Sequence, residues 1–482
     1  MKSNSSNFWL YFFYCIAAFI AFWYWHVDEH YQIFEYASYK LGYTLSSELA
    51  WEFHSKIRSA ILPLVAFIVS KSLLITPFFN PFLVESICRV LGALLFVYIL
   101  LKLSKIIKHE FQIEDTNYDK WVMLFWILPI VMVRFSSESI SSSLYWLGFI
   151  YLYPITKNRY WKRYLIVGII WGLAFYIRIH IAILIGVFIL WDLIIKKQKL
   201  SYYFPFGIGF LISTCIEIAS NYWLYGDLIW SPYGYFYSNV IDGAANSFGI
   251  QPVYFYFSEL IKNLIYPIGF FVITGLVAFS FSYKKSIFSW FVWIFIAVHS
   301  IVSHKEYRFL FPIFVLLAPL SYLGLYTIDI SSKLKNKLFT VIVYLNLILL
   351  PSCFLIHSFK PYNFLRLYPY TAKEKKIASL KHNLYSLDPG GRFDKVKTNF
   401  WKHPKCEIVV LKDISNIDSS FNYVVSIGDY GKSFRINDRN YEKVFETIPL
   451  HIKKKIPHSI LLTIDQIYLY AQKLPEKSTV KK

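Results

Sequence analysis

AILPLVAFIVSKSLLITPFF (60–79) is the stretch on which the architecture turns. Its uninterrupted apolar run ends at Ser70, and Lys71, Pro77 and Pro81 follow. A bilayer-spanning helix needs roughly 20 predominantly apolar residues, so this stretch is short. Eleven others qualify: Asn7–Trp25 and those beginning near Ser86, Trp121, Ser139, Tyr164, His180, Phe204, Leu264, Ser286, Phe309 and Leu338. Short basic loops belong on the cytoplasmic side. With a cytoplasmic N-terminus, the loops 102–120, KNRYWKR (157–163), KKQK (196–199), YKK (283–285) and SSKLKNK (331–337) share one side only if residues 60–79 do not cross. Those five loops carry 16 Lys or Arg. Residues 60–79 are therefore expected to form a re-entrant or interfacial helix pair on the outer face, below eleven true spans.

Composition demands the same solvent. Of 482 residues, 56% are hydrophobic, 20% aromatic and only 17% charged, against about 45–50% apolar and 25% charged in soluble domains. That excludes a soluble enzyme, a disordered chain and a secreted disulfide scaffold. The five cysteines show no paired spacing, and no disulfide framework or zinc knuckle is implied. The first apolar stretch is long and bulky and lacks a small-residue cleavage site, so it reads as a retained anchor. The formal charge of +20 points to no nucleic-acid partner, because no known reader motif accompanies it.

Beyond the last span the chain changes character. Residues 1–358 read as the transmembrane part and residues 359–482 as a small α/β domain on the outer face. Residues 360–482 hold 23 Lys or Arg against 12 Asp or Glu, a net +11. The bland account is a solvated surface; the sharper one is contact with anionic lipid heads or a phosphorylated acceptor. Thr371 and Glu374 have capping-box spacing, which predicts a helix to about Leu387. CEIVVL (406–411), YVVSIG (423–428), KVFETI (443–448) and SILLTI (459–464) predict strands.

The parity places every chemically suggestive cluster on the outer face and leaves the inner loops short, basic and without an apparent site. His26, Asp28, Glu29 and His30 follow the first span, with Gln32, Trp51, Glu52 and Arg58 close behind. Two acids and two imidazoles in five residues exceed what ending a helix requires. A carboxylate there can take a proton from an incoming hydroxyl. His26, Asp28 and His30 also offer nitrogen and oxygen ligands, but no Asp-x-Asp motif completes a metal site, and no metal or cofactor is expected. HKEYR (304–308) ends another outer loop. The bland reading is a charged hinge with Glu306 neutralising a neighbour. The functional one is an anion clamp of His304, Lys305 and Arg308 at the depth of a lipid-borne phosphate. Arg178 and Arg134 lie at span ends, where an arginine is a functional hypothesis by default.

In order along the chain, HVDEHYQ (26–32), LAWEF (49–53), IRSAILP (57–63), RFSSESISSSL (134–144), FYIRIH (175–180), SFGIQPVYFYF (247–257) and HKEYRFLFP (304–312) resemble the motif series of glycosyltransferase family 22, the Alg9-like and GPI-anchor α-mannosyltransferases. The resemblance implies an all-α polytopic fold of GT-C type and an inverting transfer from a polyprenyl- or dolichyl-phosphate sugar, such as dolichyl phosphate mannose. The acceptor would be a hydroxyl of a glycolipid or lipid-linked glycan. It implies a site facing the lumen of the endoplasmic reticulum or the bacterial periplasm, with membrane lipids as surroundings. By match to the family's first-loop acid, Asp28 is the expected general base and Glu29 its understudy. His304, Lys305, Arg308 and Arg178 would hold the donor phosphate. His26, His30, Gln32, Trp51, Glu52, Arg58 and Arg134 would line the substrate site. The rivals are a flippase or transporter for lipid-linked sugars, and another GT-C transferase using a different sugar.

Overall fold

A computed structural model of the chain describes residues 2–21, 24–153, 160–244, 249–356, 368–369, 371–374, 376–380, 399–402, 406–411, 421–426, 433–436, 439–446 and 468–472. It is predominantly helical. Four helices are long and apolar enough to cross a bilayer: Pro81–Glu110, Leu200–Tyr225, Tyr307–Thr327 and Ser332–Pro351. Shorter apolar helices surround them, among them Asn7–Ile20, Ile181–Ile194, Tyr266–Ser282 and Ile287–Ile301. The Phe311–Thr327 helix is the axis of the bundle, with every side chain from Phe311 to Leu325 buried.

Several polar groups inside the bundle find partners on neighbouring helices, where water is excluded. The buried indoles of Trp121, Trp146 and Trp171 donate to the carbonyls of Ala318 (2.9 Å), Pro312 (2.7 Å) and Tyr145 (2.8 Å). Close helix approach comes from small residues. A Cβ on Gly324 would stand 1.7 Å from the Gly275 carbonyl oxygen, and one on Gly209 would stand 2.1 Å from that of Leu165. These two contacts seat Phe311–Thr327 against Tyr266–Ser282 and Tyr203–Tyr225 against Tyr160–Ile177.

One expected span is not a continuous helix. The chain from Trp121 breaks into Thr116–Met123 and Leu128–Val131, and its side chains from Phe125 to Val133 are buried rather than lipid-facing. The Asn346 side chain sits in the break, accepting from Trp126 N (2.9 Å) and donating to the Leu124 carbonyl (2.7 Å). Apolar composition alone does not distinguish a lipid-facing span from a broken core segment whose freed backbone groups are capped by a neighbour. The stretch 60–79 forms one helix, Ile61–Leu74, rather than a pair. Its 14 residues extend about 21 Å at 1.5 Å per residue, short of the roughly 30 Å hydrocarbon core.

Past residue 358 the described segments form one six-stranded sheet: β1 (Lys376–Leu380), β2 (Glu407–Leu411), β3 (Tyr423–Ser426), β4 (Ser433–Ile436), β5 (Arg439–Glu446) and β6 (Tyr468–Gln472), in the order β2-β1-β3-β6-β5-β4. β1 pairs in parallel with both β2 and β3, and the remaining pairs are antiparallel. The helix expected from Thr371 is therefore overturned. Ile377 and Ala378 are buried between two parallel neighbours, a setting that overrides local capping signals. Glu374 accepts instead from the Asn422 side chain at 3.0 Å. Three of the expected strands appear, and 459–464 lies outside the described residues. A short segment, Asn399–Trp401, enters the helical part, where Phe400 and Trp401 share an apolar cluster with Tyr24, Phe34 and Phe82.

Candidate functional site

The turn after the first helix presents Asp28. His30 N and Tyr31 N both donate to the Val27 carbonyl (3.0 and 3.1 Å), closing the turn that leads into the π-helix His30–Phe34. Here Asp28 Oδ2 accepts from Arg308 Nη2 at 2.8 Å, although 280 positions separate the two residues. His26 Nδ1 lies 3.3 Å from Asp28 Oδ1.

Arg308 is the hub. Its Nη1 stands 3.3 Å from Glu138 Oε1, and its Nε donates to Glu306 Oε2. The same Glu138 oxygen pairs with Arg178 Nη2 at 2.8 Å, so one carboxylate aligns two guanidinium groups. Both stand near the Phe309 ring, at 5.7 Å (Arg178) and 5.9 Å (Arg308) from its centroid. His304 Nε2 meets Glu306 Oε1 at 3.0 Å and joins the cluster through that carboxylate. Arg178, Arg308, Glu138 and Lys305 are all buried. Lys305 turns elsewhere: its ammonium donates to the Gln251 carbonyl at 2.8 Å. Together with Gln251 N to Ser303 O (3.0 Å), this ties the 304–308 loop to the segment before Phe255–Asn263.

The two adjacent acids live in opposite environments. Burial opposes ionisation of Asp28, but Arg308, then His26 and Arg58, hold its carboxyl well below the usual range. Burial pushes the Glu29 carboxyl up, against the pull of Arg134 and Arg89. Glu29 folds back on its own turn, accepting from Trp25 N (3.0 Å) and His26 N (3.4 Å). Burial likewise opposes ionisation of Glu306, which His304 and Arg308 hold far down. The hydrogen bond that His304 donates to Glu306 raises its own imidazole. The two adjacent carboxyls, Asp28 and Glu29, are pushed in opposite directions, which favours ionisation of Asp28 over Glu29.

A second wall carries Gln32, Glu52 and Arg58. Gln32 Nε2 donates to Glu52 Oε1 at 3.2 Å, and Arg58 Nη2 lies 3.7 Å from the same oxygen. Trp51 opens the short helix Trp51–His54 that positions Glu52. Arg58 packs over the Tyr235 ring at 5.7 Å. Its neighbour Ser59 donates to the buried Glu217 at 2.6 Å. Small voids between Arg58, Arg178, His180 and Tyr235 lie beside the Arg308 cluster.

Two residues expected here sit apart. Both nitrogens of the wholly buried His30 are engaged in another network, Nε2 with Glu35 (2.7 Å) and Nδ1 with the Tyr24 hydroxyl (2.9 Å). Glu85 continues that network through Arg89 (2.8 Å) and the Trp401 indole (2.7 Å). Phe400 N closes it onto Glu35 at 2.9 Å. His26, Asp28 and His30 therefore do not converge on a shared point. Arg134 donates to the carbonyls of Ile130 (3.0 Å) and Ala21 (3.3 Å), pinning the end of the first helix, and its charge acts on Glu29. The sequence reading missed Glu138 as the bridge between two arginines. Its signal was a lone carboxylate in a serine-rich helix start, opposite motifs richer in cations.

The fold and site define a class: a helical integral membrane protein whose first-loop carboxylate meets a buried arginine cluster. The model of the Alg9-like mannosyltransferase family matches residues 8–386, and the chain belongs to that family. It is similar to GPI alpha-1,2-mannosyltransferase 3 of Danio rerio, 26% identical over 59% of this chain and 53% of that one. It is 24% identical to Mannosyltransferase APTG1 of Arabidopsis thaliana, over 60% of this chain and 53% of the relative. A probable Dol-P-Man:Man(7)GlcNAc(2)-PP-Dol alpha-1,6-mannosyltransferase of Schizosaccharomyces pombe is 24% identical over 66% of this chain and 60% of its own. The chain spans about half the length of the curated relatives it matches. No solved structure matches it.

Proposed function

We propose that this protein is an inverting α-mannosyltransferase that moves mannose from a polyprenyl- or dolichyl-phosphate donor to a hydroxyl of a glycolipid or lipid-linked glycan. The observation that carries the reading is the 2.8 Å pairing of Asp28 with Arg308, beside the Glu138–Arg178 pair. A sugar leaving on phosphate needs cations where negative charge develops. Arg308 and Arg178, aligned by Glu138, are placed for that, with His304 behind Glu306. The acceptor hydroxyl needs a base on the opposite face of the sugar, which is the role of Asp28. Gln32, Glu52 and Arg58 supply polar contacts for the acceptor. In this reading residues 1–358 hold the transfer site, and residues 359–482 form an α/β domain on the same, non-cytosolic side. The membrane is that of the endoplasmic reticulum or a bacterial inner membrane.

The resting pair must open for chemistry to proceed. A carboxylate locked to a guanidinium is a weak base. A donor phosphate competes with Asp28, Glu138 and Glu306 for Arg308, and whatever share it takes returns basicity to Asp28. Donor binding therefore arms the base, which disfavours proton abstraction in an empty site. Lys305 holds the loop in place through Gln251 and is not the primary phosphate ligand.

The test is transfer by the purified full chain from dolichyl phosphate mannose to a glycolipid acceptor, comparing wild type with Asp28→Asn. The expected loss is at least about 10²-fold, the lower end for general-base catalysis. Near-normal turnover by a correctly inserted Asp28→Asn variant would remove Asp28 from the base role and overturn the reading.

A further inference from the structure

A cavity of about 940 Å³ lies between the first helix, the Pro81–Glu110 helix and Thr116–Met123, at the other end of the bundle from Asp28. Along the Pro81–Glu110 helix, Arg89 belongs to the His30 network and Lys105 to this cavity. Sixteen residues separate them, about 24 Å of rise, most of the thickness of a hydrocarbon core. Leu10, Leu101 and Met123 form an apolar wall. Ser104 lines it as well, its buried hydroxyl beside that of Tyr118.

The charges lining the cavity nearly balance. Lys108 is committed to Asp119 at 2.8 Å. Lys105 and Lys120 remain, both exposed, against Glu114. His109 also lines it. The result is a single net positive charge over an apolar slot. A cytoplasmic lysine bias alone needs no such slot, since solvated loops satisfy it.

We propose that this cavity binds one monoanionic membrane phospholipid, its phosphate between Lys105 and Lys120 and its upper acyl chain against Leu10, Leu101 and Met123. A net charge of minus one matches the residual plus one. A polyphosphorylated headgroup meets Glu114 and Asp119 with its excess charge, and a zwitterionic lipid leaves the cation uncompensated. Basic pockets between helices on the cytoplasmic side bind lipid headgroups by this chemistry.

The experiment is native mass spectrometry of the full chain in detergent, with phosphatidylglycerol and phosphatidylcholine of matched chains. The wild type is expected to retain one phosphatidylglycerol in preference to phosphatidylcholine. Lys105→Gln with Lys120→Gln is expected to weaken that retention by roughly ten-fold or more, given the usual strength of a surface cation for anionic lipid. Both lysines are exposed, so thermal unfolding should not change. Leu101→Trp, which fills the slot and keeps every charge, is expected to abolish retention. Equal retention of the two lipids, or retention unaffected by either variant, overturns the proposal. Displacement of phosphatidylglycerol by equimolar polyprenyl phosphate also overturns it, because the cavity would then belong to the donor's carrier lipid.

Discussion

Arg308 answers to three carboxylates, and removing it leaves Asp28, Glu138 and Glu306 crowded without their shared cation. Breaking one side of a buried ion cluster typically costs about 3–5 kcal/mol, so Arg308→Ala is expected to lower the melting temperature as well as activity. Glu138→Gln separates positioning from chemistry. It keeps the side-chain shape but frees the two arginines from one another. The donor KM is expected to rise about ten-fold or more with a smaller change in kcat, and the two constants measured separately check this. The pH profile follows from the same pairings. Arg308 and its neighbours depress Asp28, so its contribution to stability is complete above the unfolded value near pH 3.9 and is lost only as pH falls through the lower folded one. No acid limb from Asp28 is expected between pH 5 and 8 in the kcat/KM of the free enzyme. His304 runs the other way: Glu306 raises it. Its charged contribution is complete below about pH 6.5 and fades as pH rises through the raised folded value. Donor affinity should weaken on that alkaline side, and His304→Gln should flatten the dependence; an unchanged alkaline limb in that variant would exclude His304. Asp28 and Arg308 were legible in the sequence because their motifs are dense in charge. Glu138 and the turned-away Lys305 were not, because orientation is decided by partners such as Arg178 and Gln251 far along the chain.

At the level of helices, periodicity and apolar length located most elements within a few residues, including Ser137–Leu152, Tyr203–Tyr225 and Ile287–Ile301. The failure at Trp121 is instructive. Its chain is apolar enough for lipid but serves the interior, and the compensating amide comes from Asn346, about 220 positions away. Asn346→Leu should strand Trp126 N–H and the Leu124 carbonyl in a dry core. At about 1–3 kcal/mol for each unpaired group, a loss of several kcal/mol is expected in thermal unfolding, whereas Asn346→Asp should recover the bond to Trp126 N alone. Gly324→Ala drives a methyl into the backbone of Gly275 and is expected to misassemble the bundle; normal yield and melting would contradict the close approach described above. The strand Lys376–Leu380 was hidden for a related reason. A local capping signal at Thr371 competes with pairing to strands that arrive about 30 and 45 positions later.

For the whole molecule, the distribution of lysine and arginine predicts an orientation that labelling can check. In a cysteine-free background, cysteines placed at Ser286 and Ser332 should react with an impermeant thiol reagent only from the cytosolic side. One placed at His304 should react only from the opposite side. Labelling of all three from one side would reverse or break the parity and, with it, the separation of the lipid cavity from the transfer site.

Trp401 adds a constraint on how the polypeptide can be shortened. Its indole is stacked between Tyr24 and Phe82, at 5.5 and 6.0 Å, and reaches the Glu85 carboxylate. A polypeptide terminated just after the final helix would lose this keystone and let water in beside His30 and Glu85. Inactivity of such a truncate would report a flooded vault next to the first loop, not a missing catalytic group in the tail.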